Sequence, residues 1–281
     1  MDGPQPIPEG VDYDLWTGPA PMAPLMRKNL HYDWHWQWPY GSGDLGNNGI
    51  HYIDVCRWGL GYTTMAPRTI SFGGKFLWDD DRQTPNAQVA YFDYKPAPII
   101  FEMRNLPRKK DDSAMDATYR KTRSPVVIEC EDGYYAGGWA CDNKGERIKQ
   151  FKESGGGSHH ANFIKAVRSR NVSDLNADIL QGHLSTAACH LGNISYRVGR
   201  EGSREDIVDS LKSDPVLMET FESFQEHLLM NAVNVLETPR IMGLWVTMDP
   251  DTERFVGEFS EQANAYLTRN YREPFVVPDQ V

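Results

Sequence analysis

The sequence predicts an α+β fold, with a largely antiparallel open sheet and helices packed on one face of it. Six short strand-like segments, separated by Gly, Pro, Asp and Asn turns, follow one another in the middle of the chain. Connections of hairpin length favour antiparallel pairing. Helical periodicity dominates after residue 157, and strands followed by helices are typical of α+β domains. The predicted strands are 69–72, 87–94, 99–104, 126–131, 134–141 and 147–151.

Composition indicates a globular protein without a nucleic-acid or membrane partner. The chain has 281 residues, of which 40% are hydrophobic, enough for a sizeable core. Its net charge of −10 opposes a nucleic-acid partner, which would need a basic surface or a basic stripe. No apolar run approaches the roughly 20 residues that span a bilayer, and the first residues carry no export signal. The chain as given is therefore predicted to be cytoplasmic, or periplasmic if an export signal lies upstream. Four scattered cysteines predict buried free thiols.

The chain begins with a Pro-rich segment, which sets the predicted domain organisation. Six prolines before residue 25 oppose any regular helix or central strand. Residues 1–29 are predicted to form an extended leader, anchored by Trp16 and Leu25, and residues 30–281 a single α+β domain.

Aromatic and polar residues alternate over residues 30–38, which predicts a strand or extended segment. Trp34, Trp36 and Trp38 would share one side of it. Aromatic rings offer apolar area to the C–H faces of a sugar, so Trp34, His35 and Trp36 are candidate substrate contacts. A core-facing strand edge explains the tryptophans equally well.

The next segment, residues 41–54, carries the strongest chemical signal. On a helix, Asp44, Asn47, His51 and Asp54 would stack on one face, because they lie three, four and three residues apart. An imidazole beside carboxylates predicts proton transfer. Asp44 is also a candidate substrate contact. A helix face that merely meets water is the alternative.

Three helices are predicted in the second half of the chain. The first follows the triple glycine at 155–157, is capped by Ser158 and packs through an apolar stripe. The second covers about 176–196, and the third follows residue 215. Their predicted core residues are Phe163, Ile164 and Val167; Leu180, Leu184, Ala187, Leu191 and Ile194; and Leu217, Phe221, Phe224 and Leu228.

Histidines near these helices add candidate site residues. His160 and Asn162 lie beside the glycine hinge, where they would edge a cleft, and His183 lies on the second helix. A zinc site built from His31, His35 and neighbouring ligands is an alternative, but their spacing does not set a tetrahedral geometry. No metal site is predicted.

Several separated tracts resemble the bacterial branch of the Gfo/Idh/MocA oxidoreductases. They are DLWTGPAP (14–21), GDLGN (43–47), HYID (51–54), HANF (160–163), GH (182–183) and HLGNISYR (190–197). The resemblance covers the family's C-terminal substrate domain. The family's N-terminal Rossmann domain is not matched, and no strand here runs into a Gly-x-Gly-x-x-Gly turn.

The resemblance implies a substrate-binding and catalytic domain of a sugar or cyclitol dehydrogenase, either truncated or completed by a separate Rossmann partner. His51 would act as the acid/base as a hydroxyl becomes a ketone. Many members carry Asp where this chain has Asn47, so Asp54 or Asp44 would supply the charge. No cofactor is predicted in this chain; NAD(P) is expected only with the Rossmann domain.

The expected partners are a small-molecule sugar or polyol and, through the open sheet face, further copies of the chain. Two other functions remain open. One is a non-enzymatic carbohydrate-binding or oligomerisation module. The other is a cofactor-free lyase or hydratase that acts on keto-sugars with His51 and Asp54.

Overall fold

The computed structural model describes residues 3–114, 119–120, 122–152 and 157–278. Its α-helices are α1 (Tyr13–Thr17), α2 (Ile50–Leu60), α3 (His159–Ser169), α4 (Ile179–Val198), α5 (Arg204–Leu211), α6 (Pro215–Met230) and α7 (Ser260–Asn264). Short 3₁₀ turns cover Asp33–Trp36 and Val172–Asp174, and a π-helix covers Leu45–Gly49. The strands are β1 (Arg68–Gly74), β2 (Ala87–Phe92), β3 (Ile99–Arg104), β4 (Val127–Cys130), β5 (Gly133–Ala136), β6 (Trp139–Asp142), β7 (Arg147–Gln150), β8 (Arg200–Glu201), β9 (Ile241–Met242), β10 (Val246–Asp249) and β11 (Arg254–Val256).

The strands form two antiparallel sheets, which confirms the α+β class. The larger sheet runs in the order β11-β10-β1-β2-β3, with β9 paired to both β1 and β8. The smaller sheet is the meander β4-β5-β6-β7. Its separation from β3 was not evident in the sequence, because both groups of strands have the same short, turn-bounded pattern.

Helices cover both faces of the large sheet at its central strands, where the sequence predicted one covered face. Along β2, Ala90 and Phe92 pack in a cluster with α2 and α4, whereas Val89 and Tyr91 pack with α5 and α6. Since neighbouring strand residues point to opposite faces, β2 is apolar on both sides and fully buried. The association of two copies of the chain through an open sheet face stays a prediction. On the face that carries Val89 and Tyr91, α6 already covers part of the large sheet.

The leader contains a short helix, α1, that the proline count did not predict. Its Asp12 cap accepts hydrogen bonds from the backbone N–H groups of Asp14 and Leu15 at 3.1 Å each. A helix can form here because residues 9–18 contain no proline. Leu25 is 3% exposed, and Trp16 packs against the same cluster, so both predicted anchors are confirmed.

The alternating segment 30–38 is not a strand, and that prediction was wrong. The backbone N–H groups of Tyr32 and Asp33 both bond to the carbonyl of Asn29, at 3.1 and 2.9 Å, and the Asp33 carboxylate accepts from the N–H of Asn29 at 3.2 Å. These local bonds wind the 3₁₀ turn Asp33–Trp36, and the tryptophans therefore do not share one side.

The helical predictions differ in outcome. The stripe of α6, Leu217, Phe221, Phe224 and Leu228, is at most 1% exposed and is confirmed. On α4, Leu184, Leu191 and Ile194 are buried, but Leu180 is 55% exposed. On α3, the Ser158 cap is confirmed, whereas the packing of Phe163, Ile164 and Val167 is wrong because all three are exposed. Gly155 and Gly156 of the predicted hinge lie outside the described residues.

Two further features bear on the site. The four cysteines are free thiols, but only Cys141 and Cys189 are buried; Cys130, on the short strand β4 of the smaller sheet, is exposed, so its predicted burial was wrong. Of the helices described, none is both long and apolar enough to cross a membrane.

Candidate functional site

The glycine-rich segment 41–49 folds tightly onto the 3₁₀ turn. A Cβ atom on Gly41 would lie 2.4 Å from the carbonyl oxygen of His35, and Gly43 adopts a φ of +66° close to Thr84. Only glycine fits such positions without strain. The segment therefore brings residues 34–36 against the start of the helix that carries His51.

The π-helix changes which residues share a face. A π-helix closes i→i+5 bonds, so its residues advance by a smaller angle than α-helical residues. Asp44 is 4% exposed and points inward, whereas Asn47 and His51 are exposed to solvent. The predicted stack of Asp44, Asn47, His51 and Asp54 on one face is therefore wrong. The α-helical spacing was applied across a segment that is not α-helical.

Asp44 lies in a buried cluster with Trp36 and Arg82. The Trp36 indole Nε1 donates to Asp44 Oδ2 at 3.2 Å, and Arg82 Nη1 lies 3.4 Å from the same oxygen. The Arg82 guanidinium also stacks over the Trp36 ring at 4.6 Å. Burial raises the pKa of the Asp44 carboxyl, although Arg82 and Trp36 act in the opposite direction.

Trp34 and His35 form a second pair at the mouth of this cluster. Their rings stack at 3.9 Å with an interplanar angle of 17°, and His35 Nδ1 makes a short hydrogen bond with the Tyr32 carbonyl. Both residues are half-buried. The structure thus gathers Trp34, His35, Trp36 and Asp44 in one region, and substrate contact by them stays a prediction.

Asp54 faces α4 instead of His51. The Ser185 hydroxyl donates to Asp54 Oδ1 at 2.6 Å, and Arg57 Nη1 lies 3.9 Å from that oxygen. Arg57, 1% exposed, also donates to the carbonyls of Gln181 and Tyr62. Asp54 therefore belongs to the polar network that joins α2 to α4.

His51 has no hydrogen-bond or ion-pair partner among the described residues. It occupies the first turn of α2, and its ring is exposed beside Asn47 and Asn48 of the preceding turn. An exposed imidazole without a protein partner can accept a proton from a bound hydroxyl. Asn47 can donate to or accept from such a hydroxyl, but it cannot take up its proton.

The remaining predicted site residues have other contacts. Asn162 Nδ2 donates to the Asp174 carbonyl at 2.6 Å, and His183 Nε2 lies 2.8 Å from Glu253 Oε1. The His160 ring lies 3.9 Å from that of His159. Within the described part of the chain, none of them forms a hydrogen bond or an ion pair with His51.

Two residues of the observed site were missed by sequence reasoning, namely Arg82 and Ser185. Arg82 follows three consecutive aspartates. Such a run of charges is typical of a solvent-exposed turn and does not indicate that the arginine is partly buried. Ser185 lies on α4, one turn after the half-buried Gln181. Neither carries a local signal, because both act on partners more than 30 residues away.

Whether the chain binds a dinucleotide stays a prediction. Every strand pairing described is antiparallel, whereas the phosphate cradle of a Rossmann domain is built on a parallel strand-turn-helix unit. No group of three His, Cys, Asp or Glu side chains within the described ranges is placed to hold a metal.

Asp44→Asn is expected to lose stability relative to the unsubstituted protein as pH falls. Burial raises the folded-state pKa of Asp44 above its unfolded value, so the protonated carboxyl is favoured in the folded state. This contribution is present below the unfolded pKa and is lost as pH rises through the folded pKa. Melting temperatures of both proteins from about pH 8 to about pH 4 check it. A difference in melting temperature that does not change with pH would mean that Arg82 cancels the effect of burial on the pKa of Asp44.

A comparison with protein families identifies one match. A model described as "Oxidoreductase family, C-terminal alpha/beta domain" matches residues 2–215. No curated protein matches the chain.

Proposed function

Because the chain belongs to the Gfo/Idh/MocA oxidoreductases, whose C-terminal alpha/beta domain it carries, we propose that it binds the substrate of a sugar or cyclitol dehydrogenase. In this proposal the chain supplies the substrate site and the proton-transfer group. A nicotinamide cofactor, as hydride acceptor, would be held by a separate dinucleotide-binding domain or chain, since the family match covers the C-terminal alpha/beta domain.

The exposed His51 is the observation that carries the proposal. It lies where α2 begins, and among the described residues no side chain occupies its ring nitrogens. A substrate hydroxyl that lies against this imidazole can transfer its proton to it as the hydroxyl carbon is oxidised. Asn47, one turn earlier, is placed to bind a neighbouring hydroxyl.

The buried contacts around His51 support a pre-organised position. Asp54, three residues on, is tied to Ser185, and Arg57 ties the same helix to α4. Groups held by such contacts lose little freedom when a substrate binds. The half-buried Trp34 and His35 rings offer an aromatic surface of the kind that stacks on sugars.

Calorimetric titration of the full chain tests this function. We expect binding of a neutral polyol such as myo-inositol or glucose, and none of NAD⁺, NADP⁺ or NADH. Dinucleotide binding would contradict the proposal that a separate domain or chain holds the cofactor. The absence of any sugar binding, in a chain that melts cooperatively, would reject the substrate-domain assignment.

The two other functions give different results in the same preparation. Turnover of a 3-keto-glycoside without added nucleotide, lost in His51→Ala, would favour a cofactor-free lyase or hydratase. Sugar binding that survives His51→Ala, together with no reaction in the presence of a dinucleotide-binding partner, would favour a carbohydrate-binding module.

A further inference from the structure

A pair of arginines lies near the end of α4. Arg197 is held between two aromatic rings, with its guanidinium carbon 4.8 Å from the Trp38 ring centre and 4.3 Å from that of Tyr266. Arg269 Nη1 donates to the Pro39 carbonyl at 2.6 Å. Residues 38 and 39 thus lie beside both guanidinium groups.

Neither guanidinium forms an ion pair with a carboxylate of the described residues. The Arg197 side chain also makes no hydrogen bond there, so all its N–H donors are open. Rings that cover the faces of a guanidinium leave its edge, which carries the donors, directed outward. A planar edge of this kind matches the two oxygens of a carboxylate or phosphate.

The two arginines lie close to each other in a protein whose net charge is −10. Burial is the larger cause that lowers the pKa of Arg197; Arg269 acts in the same direction and Tyr266 in the opposite one. Burial and, after it, Arg269 also lower the pKa of His190, two turns earlier on α4. An arginine pair without a carboxylate partner among the described residues is therefore unusual in this acidic chain.

This pair lies at the same end of α4 as His51. The Asn193 amide, one turn before Arg197, donates to the Ser42 carbonyl at 2.7 Å. Gly192 lies against Leu45, whereas Arg57, at the far end of α2, contacts Gln181 at the start of α4. The two helices therefore run in opposite directions, and the end of α2 that carries His51 lies toward Arg197.

We propose that Arg197 and Arg269 form an anion-binding subsite, and that the substrate is consequently an anionic sugar, either a uronate or a sugar phosphate. The substrate part of this proposal rests on the proposed function; the anion site does not. The carboxylate or phosphate lies against the edge of Arg197 and the free donors of Arg269, while the hydroxyl that reacts is directed to His51.

Calorimetry with glucose, glucuronate, glucose 6-phosphate and inorganic phosphate tests it. We expect at least one of the two anionic sugars to bind about tenfold or more tightly than glucose, because bidentate charge-assisted bonds are strong. The tighter of the two identifies the acidic group. Arg197→Gln should remove this preference and leave glucose binding unchanged.

Two further variants keep the test decisive. Arg269→Gln, at an exposed position, should weaken the same preference even if Arg197→Gln melts early. Arg168→Gln, an exposed arginine on α3, is the matched control and should change nothing. Equal affinities for glucose and both anionic sugars, or a preference that survives both Arg197→Gln and Arg269→Gln, would overturn the subsite.

The two proposals fail in different ways. Phosphate binding that depends on Arg197, in a chain that binds no sugar, would retain the anion site and reject the sugar-binding function. Glucose binding without any phosphate or glucuronate effect would retain the function and reject the anion site.

Discussion

His51→Asn is expected to lower kcat on the order of 10²–10⁴-fold, the range typical of a lost general acid or base. Asparagine is close to histidine in reach but cannot accept a proton. Since the imidazole is exposed and has no partner among the described residues, its removal leaves no protein group unpaired, and folding should be unaffected. The rate is measured in the assembly that contains the dinucleotide-binding domain, with substrate affinity measured in parallel.

The control and the contradicting result are simple. His31→Asn, at another exposed histidine, should leave kcat unchanged. A His51→Asn variant with normal kcat would show that another group takes the substrate proton. A variant with normal kcat but weaker substrate affinity would give His51 a binding role only.

Arg57→Ala is expected to lower the free energy of unfolding by about 3–5 kcal/mol, as when one partner of a buried charged network is removed. The substitution leaves the Asp54 carboxylate, the Ser185 hydroxyl and two carbonyls without their common donor. It also removes one of the largest fully buried side chains, so a cavity remains. Urea denaturation, followed by circular dichroism, measures the change.

A matched substitution separates this network from general loss of an arginine. Arg200→Ala, on the exposed strand β8, is expected to change stability within about 0.5 kcal/mol. An Arg57→Ala loss below about 1 kcal/mol would mean that water replaces the guanidinium, and that the contact between α2 and α4 depends on apolar packing instead.

The fold was predictable where local pattern and tertiary environment agree. The α6 stripe has helical spacing and packs in one cluster with residues of β1 and β2, so Phe221 and Phe224 are buried as expected. The stripe of α3 is also helical in spacing, but its three residues are 46–62% exposed. Periodicity shows which side of a helix is apolar and not whether another element covers it.

The geometry of the candidate site could not be predicted from the sequence. The role of His51 in proton transfer stays a prediction, and its relation to Asp44 depended on a π-helix that no spacing rule reports. Asp44 is buried because Arg82, 38 residues away, reaches it. The 3₁₀ turn Asp33–Trp36 follows backbone hydrogen bonds to the Asn29 carbonyl. The alternation of aromatic and polar residues over 30–38 predicted an extended segment instead.

The leader is secured by the opposite end of the chain. Arg272 Nη1 donates to Asp14 Oδ1 at 2.6 Å, and Arg272 Nε donates to the Gly18 carbonyl at 3.2 Å. The first of these contacts spans 258 residues. A ribosome that adds about 5–20 residues per second needs roughly 10–50 s between the two. During synthesis the leader therefore lacks this anchor until residue 272 has emerged.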